Sequence, residues 1–302
     1  MSFSRKIILG SRGSDLALWQ ARHVQQQLLE IGVTSDIKII KTSGDQIQNI
    51  GFDKMEGKGF FTKEIEEALL RSEIDIAVHS HKDLETTNPE GLIIAAVSQR
   101  ADARDLLIMR KDRFTSSELK SGPENPNLGT SSARRKALIQ HHFPNAKLSD
   151  LRGNVPTRVQ KLRDGLYDAI LLAKAGIDRL EIDLSEFHLQ ALDPSQFVPA
   201  PAQGVLGIQA RANDLTVLEI LQKLNHQETQ LIINAERSVL KQIGGGCQVP
   251  LGAYCSHTNG LYTLHVAYAK KWKEPMAFFR ESGDNPAILA QKITDQIIKH
   301  KL

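Results

Sequence analysis

Cysteine is scarce in this sequence: Cys247 and Cys255 are the only two among 302 residues. That is too few for a disulfide framework in a chain of this length, so both are expected to be free thiols. No uninterrupted apolar run approaches the roughly 18 residues that argue for a membrane-spanning helix. The opening MSFSRKIILGSRGSD holds too brief an apolar stretch for a signal peptide. A large surplus of charge is missing too, and a net charge of +3 does not by itself argue for nucleic acid. Repeats and low-complexity segments are absent. Together these point to a soluble cytoplasmic protein with neither a membrane nor a nucleic-acid partner. What is present is ordinary, with 41% hydrophobic and 24% charged residues, as in packed globular proteins. At roughly 100–200 residues per domain the length suits two or three domains.

Short apolar runs alternate with amphipathic stretches along most of the chain. RKIILG reads as a strand, and SDLALWQARHVQQQLLEIG as a helix capped by Ser14 or Asp15, with Gly32 just past its end. Its expected apolar face is Leu16, Trp19, Val24, Leu28 and Ile31. The pattern recurs through DIKIIKT, the glycine-rich MEGKGFF, a helix over 62–71, DIAVHSHKDL, LIIAAVS, LGTSSARRKALIQHH, KLSDLRGNVPTRVQKLRDG and YDAILLAKAGIDRL. It predicts parallel α/β layers with working loops at the carboxyl ends of strands. After about residue 222 the order changes to a helix, three strand-like runs and a last helix, with Asn259-Gly260 as a hairpin signal. That part predicts a small α+β domain.

Chemistry gathers where strands meet helices. Arg12, Arg134, Arg135, Arg152 and Arg158 all fall at such junctions. In GTSSARRKA, hydroxyl residues open a helix whose free N–H groups attract anions. Two arginines in its first turn put positive charge where the helix dipole disfavours it, which reads as a polyanion site; the alternative is solvated surface charge. HSHKD sets Asp83 beside Lys82, where a carboxylate in basic surroundings would stabilise a developing cation; the alternative is a loop-capping aspartate. His-x-His is half a metal site, and no neighbouring cluster completes it. IGGGCQVPLGAYC places Cys247 on a loop after a helix end, where the dipole does not lower a thiol pKa, and Cys255 in a strand as a buried thiol.

ERSVLKQIGGGCQVPLG resembles the cofactor-attachment signature of the porphobilinogen deaminase (hydroxymethylbilane synthase) family. SRGSDLALWQA, EGKGFFTKEIEEALL, DIAVHSHKDL, ADARDLL, LGTSSARRKAL, LRGNVPTRVQKL, YDAILLAKAG and PAPAQGVLGIQAR are similar to its other blocks, in the same order. The resemblance implies an α/β fold of three domains. Two are expected to resemble the lobes of type II periplasmic-binding-protein-like folds, residues 1–102 with 198–221 and residues 103–197. The third, 222–302, would be the small α+β domain bearing the cysteine.

The activity implied is a transferase of tetrapyrrole (haem) biosynthesis. Four porphobilinogen molecules are condensed head to tail on a dipyrromethane cofactor held as a thioether by Cys247, and hydrolysis then frees the linear hydroxymethylbilane. Carried over residue by residue, Asp83 is the catalytic acid. Ser80 and Lys82 flank it, and Arg12, Ser14 and Gln20 are contacts of the first domain. Thr130, Ser131, Ser132, Arg134, Arg135, Arg152 and Arg158 are contacts of the second. Lys58 and Phe61 fall in a loop expected to cover the site, and Arg179 and Gln203 complete the set. No metal is expected, and the protein is expected to be a monomer. The sequence departs from the family pattern at Glu85, where many members have proline, at Pro156, where glycine is common, and at Ala202, where many have glycine. Two other readings explain less: a non-catalytic bilobed anion-binding protein leaves Cys247 without a purpose, and a phosphoribosyl-type transferase would need paired acids for Mg²⁺.

Overall fold

The computed structural model describes residues 6–43, 62–246 and 249–299. Cys247, Lys58 and Phe61 lie outside these. The fold is α/β, with two five-stranded sheets each flanked by helices and a third, three-stranded sheet with helices of its own. By packing, the described chain divides into two compact units: residues 6–43 and 62–101 together with 204–231, and residues 102–203 with 232–246 and 249–299.

In the first unit, β1 (Ile7–Ser11) is followed by α1 (Asp15–Glu30) and β2 (Ser35–Ile39), then by α2 (Lys63–Leu70), β3 (Ile76–Ser80) and β4 (Leu92–Val97). β10 (Leu206–Arg211) and α6 (Leu215–Gln222) complete it, in the strand order β2-β1-β3-β10-β4. α1 starts where expected, because Ser14 accepts the Ala17 N–H. Its buried face, however, is Gln20, Ala21, Val24 and Leu28, while Leu16 and Trp19 are only half-buried. The shift follows from Gln20, a polar residue taken inside because its amide has a partner there.

In the second unit, β5 (Asp105–Arg110), β6 (Asn127–Gly129), α3 (Ala133–His142), β7 (Lys147–Ser149) and α4 (Val155–Arg163) precede β8 (Ala169–Ala173), α5 (Lys174–Leu180) and β9 (Phe187–Ala191). The order β7-β6-β8-β5-β9 repeats the plan of the first sheet. In each, two parallel βα steps build three neighbouring strands, and a strand entering from elsewhere in the chain is inserted beside the third. That strand runs antiparallel to both neighbours, β10 in one sheet and β5 in the other. The sheets are therefore mixed rather than wholly parallel. A strand buried on both faces, such as Leu-Leu-Ile-Met in β5, reads the same in either direction.

The third sheet is antiparallel, formed by β11 (Leu251–Thr258), β12 (Leu261–Tyr268) and β13 (Ala277–Gly283). Asn259 and Gly260 sit at φ +53° and +77°, as a two-residue hairpin turn of the primed type requires. One face packs on α7 (Gln227–Gln242) and α8 (Pro286–Lys299) through Ala235, Val239, Leu264, Val266 and Ile293. From β12 onward, Ala267, Ala269 and Met276 join the core of the second sheet with Leu107, Leu138 and Phe197. Contact there is close enough that a Cβ on Gly252 would stand 2.4 Å from the Val198 carbonyl oxygen.

Candidate active site

β3 is buried along four of its five residues and runs into a single 3-10 turn, His81–Asp83. The turn is clamped at both ends. His81 is buried and donates its N–H to the Val205 carbonyl at 2.9 Å, and Leu84, also buried, closes the turn onto the His81 carbonyl at 3.2 Å. Between these anchors Lys82 is half-buried and Asp83 projects into solvent. Asp83 has no hydrogen-bond or ion-pair partner among the described residues of the chain, which leaves both carboxylate oxygens available. One residue before the turn, Ser80 accepts the side-chain amide of Gln20 at 2.8 Å. Two residues singled out from distant blocks, 60 positions apart, are thus in direct contact. Arg12 follows the end of β1, half-buried; on the next strand burial above all, with a smaller push from the Arg12 charge, holds the His79 pKa down to about 4. Ser14 is engaged as the N-cap of α1.

The second unit collects the arginines. Thr130 Oγ1 accepts the Ser132 N–H, Ser132 Oγ accepts the Arg135 N–H and Ser131 Oγ donates to the Leu151 carbonyl, so the three hydroxyls shape the start of α3. Arg134 and Arg135 are not the exposed cations their place in a first turn suggests. They are 4% and 6% exposed, and both reach Asp105, which is fully buried. Arg134 donates to Asp105 Oδ2 at 2.7 Å and to the Val198 carbonyl at 2.9 Å. Arg135 donates to Asp105 Oδ1 through Nε at 3.1 Å and Nη2 at 2.7 Å, and to the Leu171 carbonyl. Gln203 adds a third donor to Oδ1 at 2.9 Å. Burial alone would raise the Asp105 pKa, but the two guanidiniums hold it well below the usual carboxylate range. One carboxylate faces two guanidiniums, so the cluster keeps a net positive charge.

The other candidate arginines of this unit, Arg152, Arg158 and Arg179, are half-buried. Arg158 donates Nε to the Gly153 carbonyl at 2.7 Å, and the Arg152 carbonyl accepts Lys161. Burial pulls Arg179, in α5, down to about 10 against the opposing pull of Asp178. Asp105 escaped the sequence reading, although an acid opening the apolar run Leu-Leu-Ile-Met is a signal that something must pair with it. Glu236 escaped it as well. This fully buried carboxylate on α7 accepts the backbone N–H of Ala202 at 2.7 Å and of Cys255 at 2.8 Å. Cys255 itself is 1% exposed, a packing thiol as expected.

The chain matches two family descriptions: the dipyrromethane cofactor binding domain of porphobilinogen deaminase over residues 7–219, and the C-terminal domain of porphobilinogen deaminase over residues 230–271. It is 43% identical over 265 residues to the porphobilinogen deaminase of Chloroherpeton thalassium, covering 87% of this chain and 82% of that one. To the porphobilinogen deaminase of Chromobacterium violaceum it is 44% identical over 261 residues, covering 86% and 82%. Among solved structures, a periplasmic substrate-binding protein from Coxiella burnetii aligns over 74% of this chain and 94% of its own. Its 11% identity and TM-score of 0.44 are too low to bear on the assignment. Matched in both its body and its C-terminal part, and at such identity over most of its length, the chain belongs to the porphobilinogen deaminase family.

Proposed function

We propose that Asp83 is the acid at the centre of the reaction and that Cys247 carries the primer. The reaction is that of the family: four porphobilinogen units are joined head to tail on a dipyrromethane cofactor, ammonia leaves at each addition, and hydrolysis releases the linear hydroxymethylbilane. The observation that carries the assignment of Asp83 is its presentation. A short turn clamped between two buried anchors holds an exposed carboxylate, with no partner among the described residues, beside Lys82. An ionised carboxylate there stabilises positive charge on a pyrrole nitrogen, and it can take up a proton from the pyrrole and hand it on as the reaction proceeds.

The residues present also suit the cofactor. The thioether needs a cysteine sulfur, and Cys255 is sealed inside the third sheet, which leaves Cys247. When bound, the dipyrromethane supplies the pyrrole onto which the chain is built. Its acetate and propionate groups are carboxylates, and the excess positive charge of Arg134 and Arg135 over Asp105 favours holding them. In this reading Arg12, Arg152, Arg158 and Arg179 add further cations for the growing chain. Thr130, Ser131 and Ser132 hold the start of α3 in place, while Gln20, Ser80, Ser14, Lys82, Gln203, Lys58 and Phe61 position or cover the substrate. We read the chain as three domains with borders near residues 102, 198 and 222, acting as a monomer in the cytoplasm. No helix among the described residues is long and apolar enough to cross a membrane.

Steady-state conversion of porphobilinogen tests the role of Asp83. Asp83→Asn is expected to lower kcat by about a hundredfold or more, the range for loss of a positioned acid or charge stabiliser. The primer should remain attached. Turnover of Asp83→Asn at the wild-type rate would refute the assignment.

A further inference from the structure

His79 is a buried histidine of the first unit, 6% exposed, and the reaction as proposed makes no use of it. It points to the α2 side of the sheet, away from the Gln20–Ser80 contact. Its Nε2 lies 3.2 Å from Oε1 of Gln209, itself fully buried on β10. The ladder explains the meeting: Gln209 pairs with Ala77, two residues before His79 on the same face of β3. The amide nitrogen of Gln209 then donates to Oε1 of Glu66 on α2 at 3.1 Å. Glu66 also accepts the Thr62 hydroxyl at 3.4 Å.

This chain has only one workable direction. A carboxylate only accepts, so Gln209 must turn its NH₂ to Glu66 and its oxygen to His79. The oxygen needs a proton from His79 Nε2, and a neutral imidazole carries one N–H, so Nδ1 is bare. Burial and the neighbouring Arg12 both oppose a second proton, in keeping with a pKa of about 4. Among the described residues, the charged groups facing the ring are Arg12 from the end of β1 and, through Gln209, Glu66 on α2.

We propose that His79 is a positioning residue for the reaction, held by Gln209 and Glu66 as the neutral Nε2–H tautomer. It ties the last residues of β3, from which Lys82 and Asp83 hang, to α2, and it does so without placing a second cation beside Arg12. The consequence for catalysis rests on the roles given above to Asp83 and Arg12; the tautomer does not.

Two measurements test it. Long-range ¹H–¹⁵N correlation on histidine-labelled protein, with His79→Gln identifying the resonance, is expected to show Nε2 protonated and Nδ1 bare at pH 7. Glu66→Gln, which lets Gln209 turn over, should mix the tautomers. An imidazolium, or an Nδ1–H form, would overturn the proposal. In turnover, His79→Gln keeps a donor for Gln209 and should stay within about threefold of wild-type kcat. His79→Leu leaves the buried amide oxygen unpaired and should lose about tenfold in kcat, with KM little changed. Wild-type turnover by His79→Leu would overturn the positioning role. So would an equal loss in His79→Gln with its melting temperature preserved. Should Asp83→Asn prove active while the tautomer is as stated, the fault lies with the central acid and not with His79.

Discussion

At Asp105 two guanidiniums converge on one carboxylate that is entirely out of water, and Gln203 supplies a third side chain. Removing one member of such a buried ion group leaves charge without compensation, which typically costs about 3–5 kcal/mol. Asp105→Asn should therefore unfold at markedly lower urea, with stability reduced by about 3 kcal/mol or more; an unchanged midpoint would contradict this account of the cluster. His79 sets a second expectation. Its folded pKa of about 4 lies below the unfolded value of 6.5, so the unfolded chain takes up the proton first. The stability it protects is present above pH 6.5, declines as pH falls towards 4 and is gone below that. The full loss is about 3 kcal/mol. Thermal melts from pH 7 to 4 should fall less steeply in His79→Gln than in the wild type. Neither residue's partners were legible in the sequence. Asp105 lies 29 and 30 positions from its arginines, and Gln209 lies 130 from His79, separations across which no periodicity carries information. The arginines themselves stood out because they sit in a first turn, but their burial did not.

Among the elements, the segment between β9 and β10 shows what a departure from the family pattern costs. Ala202, where many members have glycine, sits at φ +60° and is fully buried. A side chain in the left-handed region costs roughly 1–2 kcal/mol, partly offset by the greater freedom of glycine when unfolded. Glu236 holds the residue there through its N–H, while Gln203 fixes the next position to Asp105. Ala202→Gly is expected to stabilise the protein by about 0.5–1 kcal/mol in chemical denaturation; a loss of stability would show that the Ala202 methyl packs better than its backbone suffers. Pro156 is a neutral departure, because it stands in the first turn of α4, where its missing N–H has no helical partner to lose. Element identity was largely legible, since caps such as Ser14 and the Asn259-Gly260 turn are written in a few adjacent residues. Strand direction was not. β5 and β10 are antiparallel because of where the chain enters each sheet, a property of connections rather than of residues.

On the scale of the whole molecule, one strand plan is used twice and the third sheet is built onto the second. The unit containing β3 carries the proposed acid, and the other carries the buried arginines and Cys255, with α7 leading towards Cys247. Glu236 joins α7 to both β11 and the Ala202 segment, so the element before the attachment loop is fixed to the body that holds the cation cluster. This arrangement casts the thiol as an anchor: it reacts once and afterwards needs only to be held in position. The intact mass of the purified protein, expressed where porphobilinogen is available, tests that claim most directly. The expected result is a polypeptide heavier by one dipyrromethane, with the increment retained in Cys255→Ser and lost in Cys247→Ser. An unmodified wild-type mass, or an adduct that survives Cys247→Ser, would contradict it.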